Sequence, residues 1–150
     1  MAELRNVANT AEDAEMVKRP EMVGMHVHWL ISKDNTGASK VLFDTAIFPA
    51  HVNHGLHRHP NSEEICYIVK GQGYHLSEGE PVLQREGDAV YIPAGEWHGF
   101  HNPTDEPVLM VSCWGGVAAI ADAGYEEKPG SRETLVLPGE PAPRDAAAQV

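Results

Sequence analysis

Residues 57–71 read HRHPNSEEICYIVKG. In an extended strand the side chains at positions i and i+2 share a face, so His57 and His59 present two imidazoles side by side. The Pro-Asn-Ser sequence that follows predicts a turn, and a hairpin built on it brings Glu64 back beside the two histidines. Two neutral imidazoles and one carboxylate form a donor set that divalent Fe, Mn, Ni, Zn or Cu accepts. This stretch therefore predicts a metal site.

A second stretch strengthens that prediction. Residues 87–102 read GDAVYIPAGEWHGFHN and follow the pattern G-x5-P-x-G-x2-H-x3-N. Glycine followed by aspartate predicts a tight turn into a strand, and the Pro-Ala-Gly sequence predicts a sharp change of direction. His98 begins the returning strand, where its side chain can point inward.

Together the two stretches resemble the two signature motifs of the cupin superfamily. The first motif is present as H-x-H-x4-E-x6-G from His57 to Gly71, and fifteen residues separate it from the second motif at Gly87. That spacing is typical of small, single-domain, bacterial-type cupins, and the resemblance covers about residues 40–114. One departure is visible: His51 stands where a glycine usually precedes the first motif by six positions, which calls the local turn into question.

The resemblance implies a single-domain β-barrel, a jelly-roll-like double sheet, with one divalent transition metal at its open end. Carried over residue by residue, the implied ligands are His57, His59, Glu64 and His98. They would fill four positions of an octahedron and leave two open, as in a catalytic metal site rather than a closed structural one. Fe(II) is favoured, while Mn, Ni, Zn and Cu remain alternatives because this ligand set suits several ions.

Independently of the motifs, the pattern along the chain is typical of an all-β domain. Short apolar or alternating runs rich in Val, Ile, Tyr, Phe and Trp are separated by Gly, Pro, Asn and Asp, which favours antiparallel strands. The predicted strands are residues 25–31, 40–48, 64–70, 73–77, 88–92 and 107–114.

Changes in composition divide the chain into three parts. Residues 1–21 form a charged extension in which Thr10 and Asp13 resemble a capping box, so a short helix is expected there. Residues 22–125 form the barrel, with a short helix closed by glycine over 116–124. Residues 126–150 form a Pro-, Gly- and Ala-rich tail with little apolar surface to bury.

The overall charge restricts the classes of partner. The chain has 150 residues, with 11 Lys and Arg against 22 Asp and Glu, a formal net charge of −11 with His neutral. This negative charge disfavours nucleic acid and anionic lipid as partners, because both are themselves negatively charged. The N-terminal segment lacks an apolar signal region, and the two cysteines are isolated, so we expect a cytoplasmic protein without a membrane span.

Further residues are candidates for the pocket. Alternation from Glu64 predicts that Cys66 and Ile68 face the lumen, and the same rule places Phe100 and Asn102 on the face of His98. Weaker candidates lie elsewhere: His26 and His28 form a second H-x-H pair without a carboxylate at motif spacing, which favours ordinary strand histidines. His51 and Asn53 are candidates for orienting ligands or substrate, and the candidates for a general base are His54, Tyr74 and Tyr91.

Three functions remain open. The first is an Fe(II)- or Mn(II)-dependent dioxygenase acting on a small anionic or enolisable substrate that chelates the metal. It is favoured narrowly, because the metal and O₂ then carry the chemistry, whereas a redox-neutral lyase, isomerase or hydrolase needs an identified base. The third is a non-enzymatic module that binds a small ligand or metal. A homodimer is expected, with residues 25–31 and 115–125 as the candidate interface.

Overall fold

The computed structural model describes residues 14–16 and 25–131, which form two antiparallel sheets. The elements in chain order are β1 (Ala14–Met16), β2 (His26–Ile31), α1 (Lys33–Thr36), β3 (Val41–Phe48), β4 (Asn53–Arg58), β5 (Glu63–Lys70), β6 (Gln72–Leu76), β7 (Val82–Arg85), β8 (Ala89–Ile92), β9 (His98–His101), β10 (Val108–Gly115), α2 (Ile120–Ala123) and β11 (Glu126–Glu127). The larger sheet has the order β1-β2-β3-β10-β5-β8 and the smaller one β11-β4-β9-β6-β7. The predicted all-β double sheet is therefore confirmed.

The predicted strands match the observed ones closely, and the differences are local. All six predicted runs form strands whose ends agree within two residues. β7 was not predicted because its sequence, VLQR, is short and has little apolar alternation. β11 was not predicted either: it lies at the start of the segment assigned to the tail and pairs with β4. The helix predicted over 116–124 forms only at α2. The helix predicted from the capping box lies mostly outside the described residues, and its described neighbour 14–16 is a strand paired with β2. Both described helices have four residues and are too short to cross a membrane.

The two faces of β5 follow the predicted alternation. Glu64, Cys66 and Ile68 point inward and are buried, whereas the intervening Ile65 and Tyr67 are exposed. A strand of this kind fits a sandwich, because its inner side chains meet those of the other sheet. The apolar core between the sheets consists of Met25, Val27, Ala46, Phe48, Val52, Cys66, Ile68, Ile92, Phe100, Val108 and Met110.

His51 occupies the turn that leads from β3 in one sheet to β4 in the other. Its φ angle is 62°, in the left-handed region that glycine enters most readily, and it is the only described residue other than glycine with a positive φ. Its Nε2 lies 2.9 Å from Oδ1 of Asp105. The turn is thus kept without the glycine, at a conformational cost of about 1–2 kcal/mol.

Candidate metal centre

The four implied ligands come together at one end of the sandwich, between the two sheets. His57 lies near the end of β4 and faces His98, the first residue of β9, as its direct strand partner. His59 follows β4, and Glu64 comes from β5 in the opposite sheet. The hairpin expected between the histidines and the glutamate was therefore wrong: β4 and β5 do not pair, because the intervening turn carries the chain from one sheet to the other.

The donor atoms of these side chains converge. The ligating atoms of His57, His59 and His98 all lie within 4.8 Å of one another, and all three residues are buried. Oε2 of Glu64 lies 3.1 Å from Nε2 of His98 and 4.0 Å from Nε2 of His59. Three imidazoles and one carboxylate thus surround one point.

Each imidazole is held by a backbone carbonyl on its far side. Nδ1–H of His57 donates to the carbonyl of Gly55 at 3.0 Å, and Nδ1–H of His98 donates to that of Glu96 at 2.9 Å. His59 makes the same bond to Gly124 at 2.6 Å. Since a carbonyl only accepts hydrogen bonds, these contacts place a proton on every Nδ1 and direct every Nε2 toward the common point.

The carbonyl that holds His59 comes from a distant part of the chain. Gly124 follows α2 with a left-handed φ of 76°, and a Cβ at this position would lie 3.0 Å from Pro60. The backbone N–H of Asn61 donates to the carbonyl of Ala123 at 3.1 Å, which fixes the end of α2 against the turn after His59. Glycine is needed here because the backbone approaches the turn closely.

Glu64 is also held from behind. The thiol of Cys66 donates to Oε1 of Glu64 at 3.3 Å, and its sulfur lies 3.8 Å from Oγ of Ser112. Burial and the adjacent Glu64 carboxylate raise the pKa of Cys66 well above its ordinary value, so it remains a thiol and a donor. The other carboxylate oxygen, Oε2, faces the histidines.

The electrostatics favour neutral His57 and His59 and an ionised Glu64. Burial, together with the neighbouring His54 and His98, lowers the pKa of His57 well below its ordinary value, and burial lowers that of His59. Burial would raise the pKa of Glu64, but the close approach and charge of His98, with His59, lower it below its ordinary value. Conversely, burial would lower the pKa of His98, but Glu64 outweighs this and raises it.

The arrangement fits a divalent cation. Among the described residues, Nε2 of His59, Nε2 of His98 and Oε2 of Glu64 are buried atoms that make no hydrogen bond, since the 3.1 Å approach lacks hydrogen-bond geometry. Buried polar atoms are normally paired, and an ion at the common point would satisfy all of them. His57, His59, His98 and Glu64 are therefore the residues able to hold a metal.

The centre opens into a cavity of about 270 Å³ between the sheets. Its walls are mainly apolar, and His54 lies in them with its ring stacked on that of His57 at 4.0 Å. His75 also lines the cavity, and burial, with a smaller effect of His98, lowers its pKa to about 4. The apolar lining side chains are Met25, Val27, Trp29, Ala46, Phe48, Ile92, Phe100, Met110 and Ile120.

The remaining sequence candidates lie in different places. Cys66 and Phe100 line the cavity, as expected of lumen-facing residues. Asn102 is fully buried, but its Nδ2 donates to three backbone carbonyls and stabilises the loops around it. Tyr91 is 58% exposed on the outside of the larger sheet. The candidates that do not line the cavity are His26, His28, His51, Asn53, Tyr74, Tyr91 and Asn102.

Four of the cavity residues that the sequence did not reveal contact or accompany the metal centre. Tyr125, beyond α2, stacks on His57 with ring centroids 5.2 Å apart, a contact between residues too distant in the chain to be read from spacing. His75 and Trp114 reach the cavity through the register of their strands. Asp44 carried a usable signal: it is a charged residue at an inward position of the otherwise apolar alternation in β3.

Comparison with known proteins supports the same fold and motifs. The family model of the Cupin domain matches residues 44–114. The chain is 33% identical over 84 residues to an oxalate-binding protein of Thermotoga maritima, covering 55% of this chain and 69% of that protein. It is 35% identical over 68 residues to an uncharacterized protein of Methanocaldococcus jannaschii, covering 45% of this chain. The match spans 54%, about half, of the length of that relative.

A solved structure shows the same architecture at low sequence identity. The polyketide cyclase RemF from Streptomyces resistomycificus superposes with a TM-score of 0.66 and 20% identity. The match covers 77% of this chain and 80% of that chain. At this level of identity the likeness concerns the fold.

Proposed function

The chain belongs to the cupin family, and we propose that it is an enzyme that uses one divalent transition metal to act on a small organic molecule. One observation carries the proposal: buried nitrogen and oxygen atoms without hydrogen-bond partners converge at the end of an apolar cavity. Such a combination of unsatisfied donor atoms and an enclosed pocket is expected of a functional site.

The residues of the chain prepare this centre for a ligand. The backbone carbonyls behind His57, His59 and His98 fix the rings, and the thiol of Cys66 fixes Glu64. When bound, a divalent ion supplies Lewis acidity toward chelating oxygens and, as Fe(II) or Mn(II), access to O₂ chemistry. The apolar walls exclude water, which strengthens electrostatic interactions inside the cavity. An anionic or enolisable substrate with chelating oxygens fits this environment.

For the reaction, we propose a dioxygenase as the first candidate. The cavity wall is mainly apolar, and an oxygenase requires few protein groups besides the metal ligands. The role of the chain is then to hold the substrate and keep water away.

A redox-neutral lyase, isomerase or hydrolase is the second candidate, and the cavity offers it two imidazoles. His54 and His75 both line the cavity, and His75 is neutral at pH 7 because burial lowers its pKa to about 4. Either side chain has a ring nitrogen with which to accept a proton from a substrate. The fold shared with a polyketide cyclase is consistent with this class. Similarity to an oxalate-binding protein keeps a non-enzymatic ligand-binding role as a third candidate.

We also propose that the protein forms a homodimer through the outer face of the larger sheet. Five of the seven large apolar side chains that are exposed among the described residues lie on this face, at Val41, Ile65, Tyr67, Val69 and Tyr91. Contiguous exposed apolar surface marks interaction sites, and a two-fold symmetric contact lets one apolar face cover its copy. None of these exposed apolar residues lies in 25–31, so we propose the contact on β5 and β8 rather than on that run.

The test of the enzymatic proposal begins with metal analysis of protein purified without chelators, repeated after anaerobic reconstitution with Fe(II). O₂ uptake is then followed with catechols, diketones and small carboxylates. One metal per chain with substrate-dependent O₂ uptake supports the dioxygenase. Bound metal with substrate turnover but no O₂ uptake favours the redox-neutral class, ligand binding without turnover favours the third role, and absence of metal contradicts the proposal.

A further inference from the structure

Among the residues that the structure describes, Asp44 is the one acidic side chain in the cavity wall besides the candidate ligand Glu64. It lies on the inner face of β3, only 3% exposed, between Leu42 and Ala46 on the same face. Burying a carboxyl group in apolar surroundings costs several kcal/mol unless its oxygens find partners. A valine or leucine at this position would therefore give a more stable fold, so the presence of an aspartate needs another reason.

Only one of its two oxygens has a partner. Nε1–H of Trp114 donates to Oδ2 of Asp44 at 2.9 Å, whereas Oδ1 is buried and makes no hydrogen bond with any described residue. The same indole packs edge-on against His59, with ring centroids 4.4 Å apart. Asp44 and the candidate metal ligand His59 thus contact the same tryptophan side chain, and both line the cavity.

The surroundings decide which hydrogen-bonding role Asp44 can take. Strand register aligns it with Ser112 on β10, and Ser112 with Cys66 on β5, while the charged group facing it is Glu64. Burial raises the pKa of Asp44 to about 8, with the charge of Glu64 adding to the effect and the Trp114 hydrogen bond opposing it. At neutral pH the group is mostly a carboxylic acid and has a proton to donate.

We propose that Asp44 is a substrate-binding residue whose Oδ1 hydroxyl donates a hydrogen bond to an uncharged oxygen of the substrate, a carbonyl or a hydroxyl. This inference rests on the proposed function, because the other end of the same molecule chelates the metal. The substrate class is then a small acid or enol with chelating oxygens at one end, a short apolar segment, and a second neutral oxygen function. A second carboxylate is disfavoured because the cavity already holds the charge of Glu64.

The experiment measures binding of matched 2-oxo acids to the Zn(II)-loaded full chain by calorimetry. The probes are the distal monomethyl esters of 2-oxoglutarate, 2-oxoadipate and 2-oxopimelate. Each ester is paired with the 2-oxo monocarboxylic acid of equal chain length, which has no oxygen group at its distal end. At pH 6.5 we expect at least one ester to bind about five- to tenfold more tightly than its partner, the usual net effect of one hydrogen bond. Asp44→Leu should abolish that preference.

Asp44→Asn tests the direction of the hydrogen bond. Its amide oxygen can accept from Trp114 and leave the amide N–H to donate toward the ligand, so the ester preference should survive. Above pH 8 the wild type should lose the preference as its carboxyl ionises, while the asparagine variant keeps it. Asp122→Asn, at an exposed position outside the cavity, should behave as the wild type throughout.

Metal analysis of every sample separates the two proposals. A wild type without bound metal contradicts the proposed function, and this inference falls with it. If the metal is stoichiometric but ester and monocarboxylic acid bind equally at all three chain lengths, only the proposed role of Asp44 is overturned. If Asp44→Leu fails to fold, the comparison of the wild type with Asp44→Asn still tests the inference. An ester preference that changes with pH in the same way in both proteins would overturn it.

Discussion

The inner and outer faces of the larger sheet both carry exceptions to the usual arrangement of polar and apolar residues. On the inner face, Asp44, Glu64 and Ser112 are buried, although this face meets the core. On the outer face, Ile65 and Tyr67 are 45% and 41% exposed. A sheet with one solvated face normally shows apolar residues inside and polar residues outside. These exceptions are what the proposed metal site on the inner face and the proposed dimer contact on the outer face predict.

The largest expected effect comes from removing an inner-face donor. His57→Ala or His98→Ala should lower metal affinity by at least about 100-fold, because even residues that only orient ligands contribute 10- to 100-fold. His26→Ala is the matched control, since His26 lies on β2 and does not line the cavity. Metal content after dialysis against a weak chelator is the measurement. Equal loss in all three variants would mean that the site has been assigned to the wrong residues.

The second prediction concerns the effect of the buried Asp44 carboxyl on the free energy of unfolding. The pKa of Asp44 is about 8 in the folded chain against an ordinary 3.8, so its contribution to stability is complete below pH 3.8 and is lost as the pH rises to 8. At about 1.4 kcal/mol per pH unit, the loss at pH 7 is roughly 1.4 × 3.2, or about 4 kcal/mol. Asparagine does not titrate, so metal-free Asp44→Asn should gain stability over the wild type between pH 4 and 8, with no further gain above pH 8.

Urea unfolding of the metal-free proteins at several pH values measures this difference. Glu64, Cys66, Ser112 and Trp114 surround Asp44 in both proteins, so their own contributions largely cancel in the comparison. A stability difference that does not change with pH would contradict the buried, protonated state of Asp44.

The third prediction tests the outer face. Tyr67→Lys should dissociate the proposed dimer, because two symmetry-related lysines would be buried in an apolar contact. Val82→Lys is the matched control: Val82 is 60% exposed, more than Tyr67, but lies on β7 in the smaller sheet. Sedimentation equilibrium measures the mass. A wild type that sediments as one 16.3 kDa chain contradicts the proposal at once.

Much of the inner face could be predicted from the sequence because the two motifs consist of residues close together in the chain. His57, His59, Glu64 and His98 were named from short spacings, and the alternation of β5 gave the correct inward residues. Spacing did not reveal that the two sheets, rather than one hairpin, bring these residues together. That depends on where the chain crosses between sheets, which is decided by packing.

The rest of the cavity depends on contacts between residues distant in the chain. Asp44 and Trp114 are 70 positions apart, and their hydrogen bond arises from the pairing of β3 with β10. Gly124 holds His59 from 65 positions away. A single sequence carries no signal for such pairs beyond the inward position of Asp44, which is why the metal ligands were predicted and these supporting contacts were not.

The smallest expected effect belongs to the turn that joins the two sheets. His51→Gly and His51→Ala both remove the exposed contact with Asp105, but only alanine keeps the cost of a left-handed φ of 62°. After allowing for the greater freedom of glycine in the unfolded chain, the glycine variant should be more stable by about 1 kcal/mol. Denaturant unfolding gives the difference, and metal content should be the same in both variants because His51 does not line the cavity. An alanine variant as stable as the glycine variant would show that the turn relaxes to another conformation, and that His51 holds the strained one through Asp105.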